Sequence, residues 1–295
     1  MDWGDVLAEH SVEAATYILG FAFTSPSDGR RRFGSFCTGF AAYYTSAIWT
    51  NAHCVEAVSE VIELLGGLFG DLSDADLRFY IFRAGTSLEE DQRYQINVHR
   101  HWKHPEYDGT PNSEDIGLFD IAGELPVLMN FLPREYADGL SIGQPIGTLG
   151  FPGELRSTGG AADRTVTATF KDGVVSALRM IDAGEHPHVE VQYNFNTTGG
   201  TSGSAVFDHN GWIVAVNHAG IEARVPDIDG DMVRIPLGSL DFGIRVDAVW
   251  DFIDVLDAGR AGTPPMGGQP SPDRPYPYGT YQAFPENWNG ETVAP

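Results

Sequence analysis

The chain has 295 residues, 42% hydrophobic and 12% aromatic, which is enough to bury a sizeable core and too much for a globally disordered polypeptide. Its 41 Asp+Glu against 18 Lys+Arg give a formal net charge of −23, a field that repels nucleic acid and anionic membrane surfaces. No apolar run approaches the ~20 residues of a membrane-spanning helix, and the opening Met1-Asp2-Trp3-Gly4-Asp5 lacks the basic start of a secretory signal.

Residues 14–24, 35–50, 77–83, 94–99 and 116–121 read as strands: short, rich in Val, Ile, Phe, Tyr and Thr, and bounded by Gly, Pro, Asp or Asn. Between them, residues 54–65 read as a helix that stops at Gly66-Gly67. Residues 124–143, with Pro126, Pro133 and Gly139, read as a link between two halves. Strands resume at 144–151, 164–170, 173–181, 188–195, 204–207, 212–217 and 233–246. Asp247 then N-caps a helix over 247–257, where Val249, Phe252, Ile253 and Leu256 recur at helical spacing. Beyond Gly259 the chain is dense in Pro, Gly and Tyr without periodicity, the composition of a disordered or loosely draped tail. So many short strands with little helix between them predict an all-β fold of barrels or a sandwich.

The acidity has two readings, solubility or salt adaptation on one side and attraction of basic substrates on the other. The only lysines are Lys103 and Lys171. The two cysteines, Cys37 and Cys54, are either a bridge or a pair of buried thiols. A bridge would contribute roughly 3 kcal/mol and would suit an oxidising setting, which sits badly with the absent signal; the compartment stays open.

Chemistry concentrates in three segments. In Gly199-Gly200-Thr201-Ser202-Gly203 a hydroxyl stands between glycines, whose backbone freedom lets the N–H groups of Gly200 and Ser202 converge on an oxyanion. His53 ends the apolar run Ala47-Ile48-Trp49-Thr50-Asn51-Ala52. Asp115 opens the apolar run Ile116-Gly117-Leu118-Phe119, with Glu114 as a competing carboxylate. A serine becomes a nucleophile when a base takes its proton and a carboxylate orients that base. Singly, each residue also fits a bland role: a hairpin turn, a packed histidine, a strand-capping aspartate. His99, His101 and His104 match no zinc spacing, and Asp227, Asp229 and Asp231 place Gly230 wrongly for a calcium loop, so no metal is expected.

Together the segments resemble the trypsin-like serine proteases of chymotrypsin fold. Thr50-Asn51-Ala52-His53-Cys54 is similar to that family's histidine motif, and His104-Pro105-Glu106-Tyr107 followed by Asp115-Ile116-Gly117-Leu118 to its aspartate region. Residues 191–207, with Gly150-Phe151-Pro152-Gly153, most resemble the glutamyl endopeptidase branch. The resemblance covers about residues 12–257. It implies two six-stranded antiparallel β-barrels, the first over 12–125 with His53 and Asp115, the second over 140–258 with Ser202 and a C-terminal helix, and a Pro/Gly-rich tail over 259–295. It further implies a serine endopeptidase with Ser202 as nucleophile, His53 as base, Asp115 as orienter, and Gly200 and Ser202 as oxyanion donors. Cys37 sits where the partner of the histidine-loop cysteine lies. Thr201, where zymogen-activated trypsins carry an aspartate, implies no N-terminal activation switch. Asn196, Thr197, Asn217, His218, Ala219 and Gly220 would line the specificity pocket. Glutamyl endopeptidases carry histidine where Asn217 stands, and His218, one place along, should face the other side of its strand. A small or polar residue before the scissile bond is therefore expected. The implied partner is a polypeptide substrate, without cofactor, nucleic acid or membrane, and the expected state is a monomer. The alternative is a catalytically silent peptide-binding module on the same fold.

Overall fold

The structure is a computed structural model and describes residues 2–69, 77–86, 93–110, 113–152, 167–181, 188–197, 199–226 and 232–258. The tail and the Asp227–Asp231 segment lie outside these residues, as does Thr198.

Six strands, β1 (Thr16–Thr24), β2 (Arg31–Phe40), β3 (Ala47–Thr50), β4 (Leu77–Arg83), β5 (Arg93–Lys103) and β6 (Gly117–Ile121), close a barrel in the order β1-β2-β3-β6-β5-β4. Every pairing in it is antiparallel. A second sheet runs β11-β8-β9-β10-β13-β12-β7, from β7 (Asn130–Phe131), β8 (Pro145–Gly150), β9 (Thr169–Ile181), β10 (His188–Tyr193), β11 (Ala205–Asp208), β12 (Trp212–Pro226) and β13 (Met232–Arg245). β11 also pairs with β12, which closes this sheet too. The all-β expectation therefore holds, with strands of β-branched and aromatic residues whose inward faces are dry.

Three boundaries differ from the sequence reading. The run 35–50 is two strands, because the chain turns between Phe40 and Ala47, where Tyr43 takes a left-handed φ of 61°. The helix α2 spans Ala52–Phe69 and passes straight through Gly66-Gly67. Its last turn is anchored by Leu65, 5% exposed, and by Phe69 packed 5.3 Å from Phe23. The segments 164–170 and 173–181 merge, where described, into one strand, β9.

A short N-terminal helix, α1 (Trp3–Glu9), was not foreseen; the Asp2 side chain caps it by accepting Gly4 N–H at 3.0 Å. Trp3 fixes it to the second barrel against Phe170 (5.4 Å) and Phe207 (5.9 Å). The link 124–143 is not loose either. β7 adds in parallel to β12, and Phe131 packs 5.2 Å from Trp49 of the first barrel. The C-terminal helix α3 (Val246–Ala258) buries Val249, Phe252, Ile253 and Leu256, as its periodicity required, and Phe252 lies 6.1 Å from Trp49. The core thus runs without interruption from one barrel to the other.

Candidate active site

The first half of the site is built where β3 ends. Thr50 finishes the strand and α2 starts at Ala52, so Asn51 and His53 sit on a sharp strand-to-helix corner. Asp115 stands on the neighbouring chain just before β6, which pairs with β3 through Thr50↔Gly117. Its carboxylate faces the α2 N-terminus, where unpaired N–H groups favour negative charge. Oδ1 accepts the His53 backbone N–H at 2.8 Å, and Oδ2 lies 2.5 Å from His53 Nδ1. Asn51 donates its side-chain amide to the Asp115 carbonyl at 2.7 Å, which fixes the backbone as well. Glu114, although buried, does not take this place.

Burial alone would raise the Asp115 carboxyl, but hydrogen bonds from His218 and His53 outweigh it and hold the group well below the usual carboxylate range. Burial pulls His53 down; the hydrogen bond and charge of Asp115, with Glu56 and Glu60 nearby, reverse this and leave its pKa above the usual imidazole value.

The second half is the turn ahead of β11. Gly200 and Gly203 take φ of +94° and +82° around Ser202. Gly203 has no alternative: a Cβ there would meet Thr50 Oγ1 at 2.2 Å and the Thr38 carbonyl at 2.4 Å. Gly203 N–H donates to the Asn217 carbonyl at 2.9 Å and Ser204 N–H to the Thr201 carbonyl at 3.1 Å. The N–H groups of Gly200 and Ser202 find no acceptor among the described residues. Beneath the turn, the Ser204 hydroxyl bonds Thr148 Oγ1 at 2.9 Å.

Thr38, at the end of β2, joins the halves. Its N–H donates to the Ser202 carbonyl at 2.9 Å, and its hydroxyl donates to the Gly200 carbonyl at 2.7 Å while accepting Phe151 N–H at 3.1 Å. The adjacent Cys37 is disulfide-bonded to Cys54, beside His53, with Cα atoms 6.1 Å apart. His53 Nε2 faces this bridge, 3.6 Å from Cys54 Sγ, and makes no hydrogen bond to Ser202 Oγ. His53 and Asp115 are therefore brought together directly, and Ser202 is held nearby through Thr38.

The expected pocket residues separate. Asn196 is exposed and Thr197 half-buried. The Asn196 carbonyl accepts Lys171 Nζ, and Thr197 N–H donates to Asp241 Oδ2. Asp241 had not been singled out. Burial pushes its carboxyl up to about 6, against the opposing Thr197 hydrogen bond and Lys171 charge. Ala219 and Gly220 lie on β12 in register with Phe242 and Asp241. Asn217 is only 1% exposed and spends its amide internally: Nδ2 donates to the Thr201 carbonyl at 2.9 Å, and Oδ1 takes the Tyr193 hydroxyl. His218 stands at an irregularity of β12 between Asn217 and Ala219, with Nδ1 2.9 Å from Asp115 Oδ2. Both are bonded to protein, where an open pocket wall had been expected. Nothing in the periodicity marks Thr38 or Asp241, because each acts through a non-local contact.

The family described as trypsin-like peptidase domain has a model that matches residues 37–216. No curated protein matches the sequence. Among solved structures, the chain is similar to an HtrA-type protease AlgW with decapeptide, at 16% identity and a TM-score of 0.55, covering 88% of this chain and 69% of that one. The same type of protease, AlgW with tripeptide, aligns at 15% identity and a TM-score of 0.50, over 88% and 63% of the two chains. The Rv3671c protease from M. tuberculosis, active form, aligns at 14% identity and a TM-score of 0.48, over 84% and 82%. At such identities the likeness concerns the fold.

Proposed function

Because the chain belongs to the trypsin-like peptidase domain family, and so to the serine proteases of chymotrypsin-like fold, we propose that it is an endopeptidase working through an acyl-enzyme. Ser202 Oγ gives its proton to His53 Nε2 and attacks the scissile carbonyl carbon. The N–H groups of Gly200 and Ser202 receive the oxyanion, and His53 passes the proton to the leaving amine. Water then repeats the sequence and frees the acid. The observation that carries this reading is the double hold of Asp115 on His53, by ring and by backbone. It selects the tautomer with the proton on Nδ1 and leaves Nε2 as the base. The step requires Nε2 to turn from Cys54 Sγ to Ser202 Oγ, a contact of the kind that tightens in the Michaelis complex.

Around the pocket, Asp241 adds a carboxyl against Thr197, and the net charge of −23 also disfavours acidic substrates. The glutamyl endopeptidase likeness of residues 191–207 thus extends to the turn and not to the specificity, which we assign to small or polar residues before the scissile bond. A fluorophosphonate probe should label the wild-type chain and not Ser202→Ala, and cleavage profiling on a denatured proteome should show the stated preference. Absence of labelling would favour the silent binding module, and a profile dominated by Glu would overturn the specificity.

A further inference from the structure

Asp115 serves two histidines, one from each barrel. Oδ2 lies 2.5 Å from His53 Nδ1 and 2.9 Å from His218 Nδ1. A carboxylate offers only lone pairs, so both rings must carry their proton at Nδ1. His218 reaches this place through an irregularity in β12. Asn217 pairs with Gly243 and Ala219 with Phe242, so His218 is the extra residue of a β-bulge, a device that re-aims a side chain. Its side chain is 6% exposed, against 40% for His53. Its other nitrogen, Nε2, stands 3.9 Å from Glu190 Oε1 on β10, and Glu190 lies 3.3 Å from the Arg179 guanidinium on β9.

We propose that His218 is a positioning residue for the hydrolysis: its Nδ1–H fixes Asp115 Oδ2 against His53 and takes up part of the carboxylate charge, so setting how strongly Asp115 holds a proton on the base. The inference rests on the reading of His53 and Asp115 as base and orienter. The sign follows from the shared acceptor. Without the His218 donor the carboxylate turns more freely and attracts the His53 proton more strongly. His53 then stays protonated to higher pH and turnover falls. Among the described residues, charged groups facing this pair include Asp115 and Glu190 around His218, Arg179 behind Glu190, and Glu56 and Glu60 around His53. All stay in place when His218 alone is changed. A residue lining the substrate pocket would act on KM instead.

The test uses amide side chains that copy one ring nitrogen each. Asparagine places its N–H where Nδ1 stands, and glutamine where Nε2 stands. In full-length Ser202→Ala protein with 13C-labelled histidines, the His53 ring is titrated by NMR, which needs no turnover. His218→Gln should raise the His53 midpoint by roughly one pH unit, and His218→Asn should leave it within about 0.3. His218→Ala, which also lacks a donor, should act like His218→Gln and serves if that variant fails to fold. With Ser202 restored, His218→Gln should lower kcat on the order of tenfold at unchanged KM, with the acid limb moving up in step, and His218→Asn should rescue both. Equal midpoints in the Asn and Gln variants, or a raised KM with an unmoved midpoint, would overturn the assignment. Failure of the wild type to hydrolyse or label would instead strike the peptidase reading, while the His53 titration still decides whether His218 tunes Asp115.

Discussion

Asp115 is the residue on which the site turns. Its carboxyl is held low by two imidazole donors, and it raises His53 in return. On the proposed mechanism His53 acts only unprotonated, so kcat/KM should fall on the acid side with a midpoint above the ordinary histidine value of about 6.5. In Asp115→Asn the main raising partner is gone and only Glu56 and Glu60 still oppose burial, so that midpoint should drop. Turnover should fall on the order of 10⁴-fold, as for a triad whose orienter no longer fixes the tautomer. A pH–rate profile of both proteins checks this, and substitution of Glu114 should leave the midpoint where it is. His53, Asp115 and Ser202 stood out in the sequence as candidates because each lies beside a strand among small residues, a local pattern; the structure joins His53 directly to Asp115 alone. Asn217 was read as a pocket residue; its burial and its tyrosine partner 24 positions away leave no local trace. The contact of His218 with Asp115 could not be read from alternation, since a bulge is invisible to periodicity.

Among the elements, α2 best shows how tertiary contacts override propensity. Glycine is costly inside a helix, and Gly66-Gly67 reads as a stop. The helix continues because Leu65 is buried and Phe69 packs on Phe23 of the barrel, so the last turn is held by packing. The glycines are not needed for space, since a Cβ on either would meet nothing within 4 Å. Gly66→Ala and Gly67→Ala should therefore each stabilise the protein by about 0.5–1 kcal/mol, read as a higher midpoint in denaturant, with activity unchanged. Their destabilising effect would mean that the turn is not helical. The strands were more legible than α2, because β-branched and aromatic runs between turn residues are local, whereas α1 is too short for periodicity and depends on Trp3 reaching across to Phe170 and Phe207.

At the scale of the whole molecule, the Cys37–Cys54 bridge ties the two halves of the site. Cys54 adjoins His53, and Cys37 adjoins Thr38, which holds the carbonyls of Gly200 and Ser202. Reduction, or Cys37→Ser with Cys54→Ser, should cost about 3 kcal/mol of stability. Activity should fall at temperatures where circular dichroism still reports a folded chain, because the cross-link sets the spacing of base and nucleophile as well as the unfolded-state entropy. Loss of activity only in step with unfolding would reduce the bridge to a stability element.

Thr38 has a consequence for the time before the molecule is finished. A ribosome makes residues 1–125 before residues 200–204, and with them His53 and Asp115, the proposed base and its orienter. The turn that carries Ser202 is held in part from the first barrel, since Thr38 on β2 bonds the carbonyls of Gly200 and Ser202. On the proposed chemistry no partly synthesised chain can cut its neighbours: the act of docking the two barrels is what arms the protein.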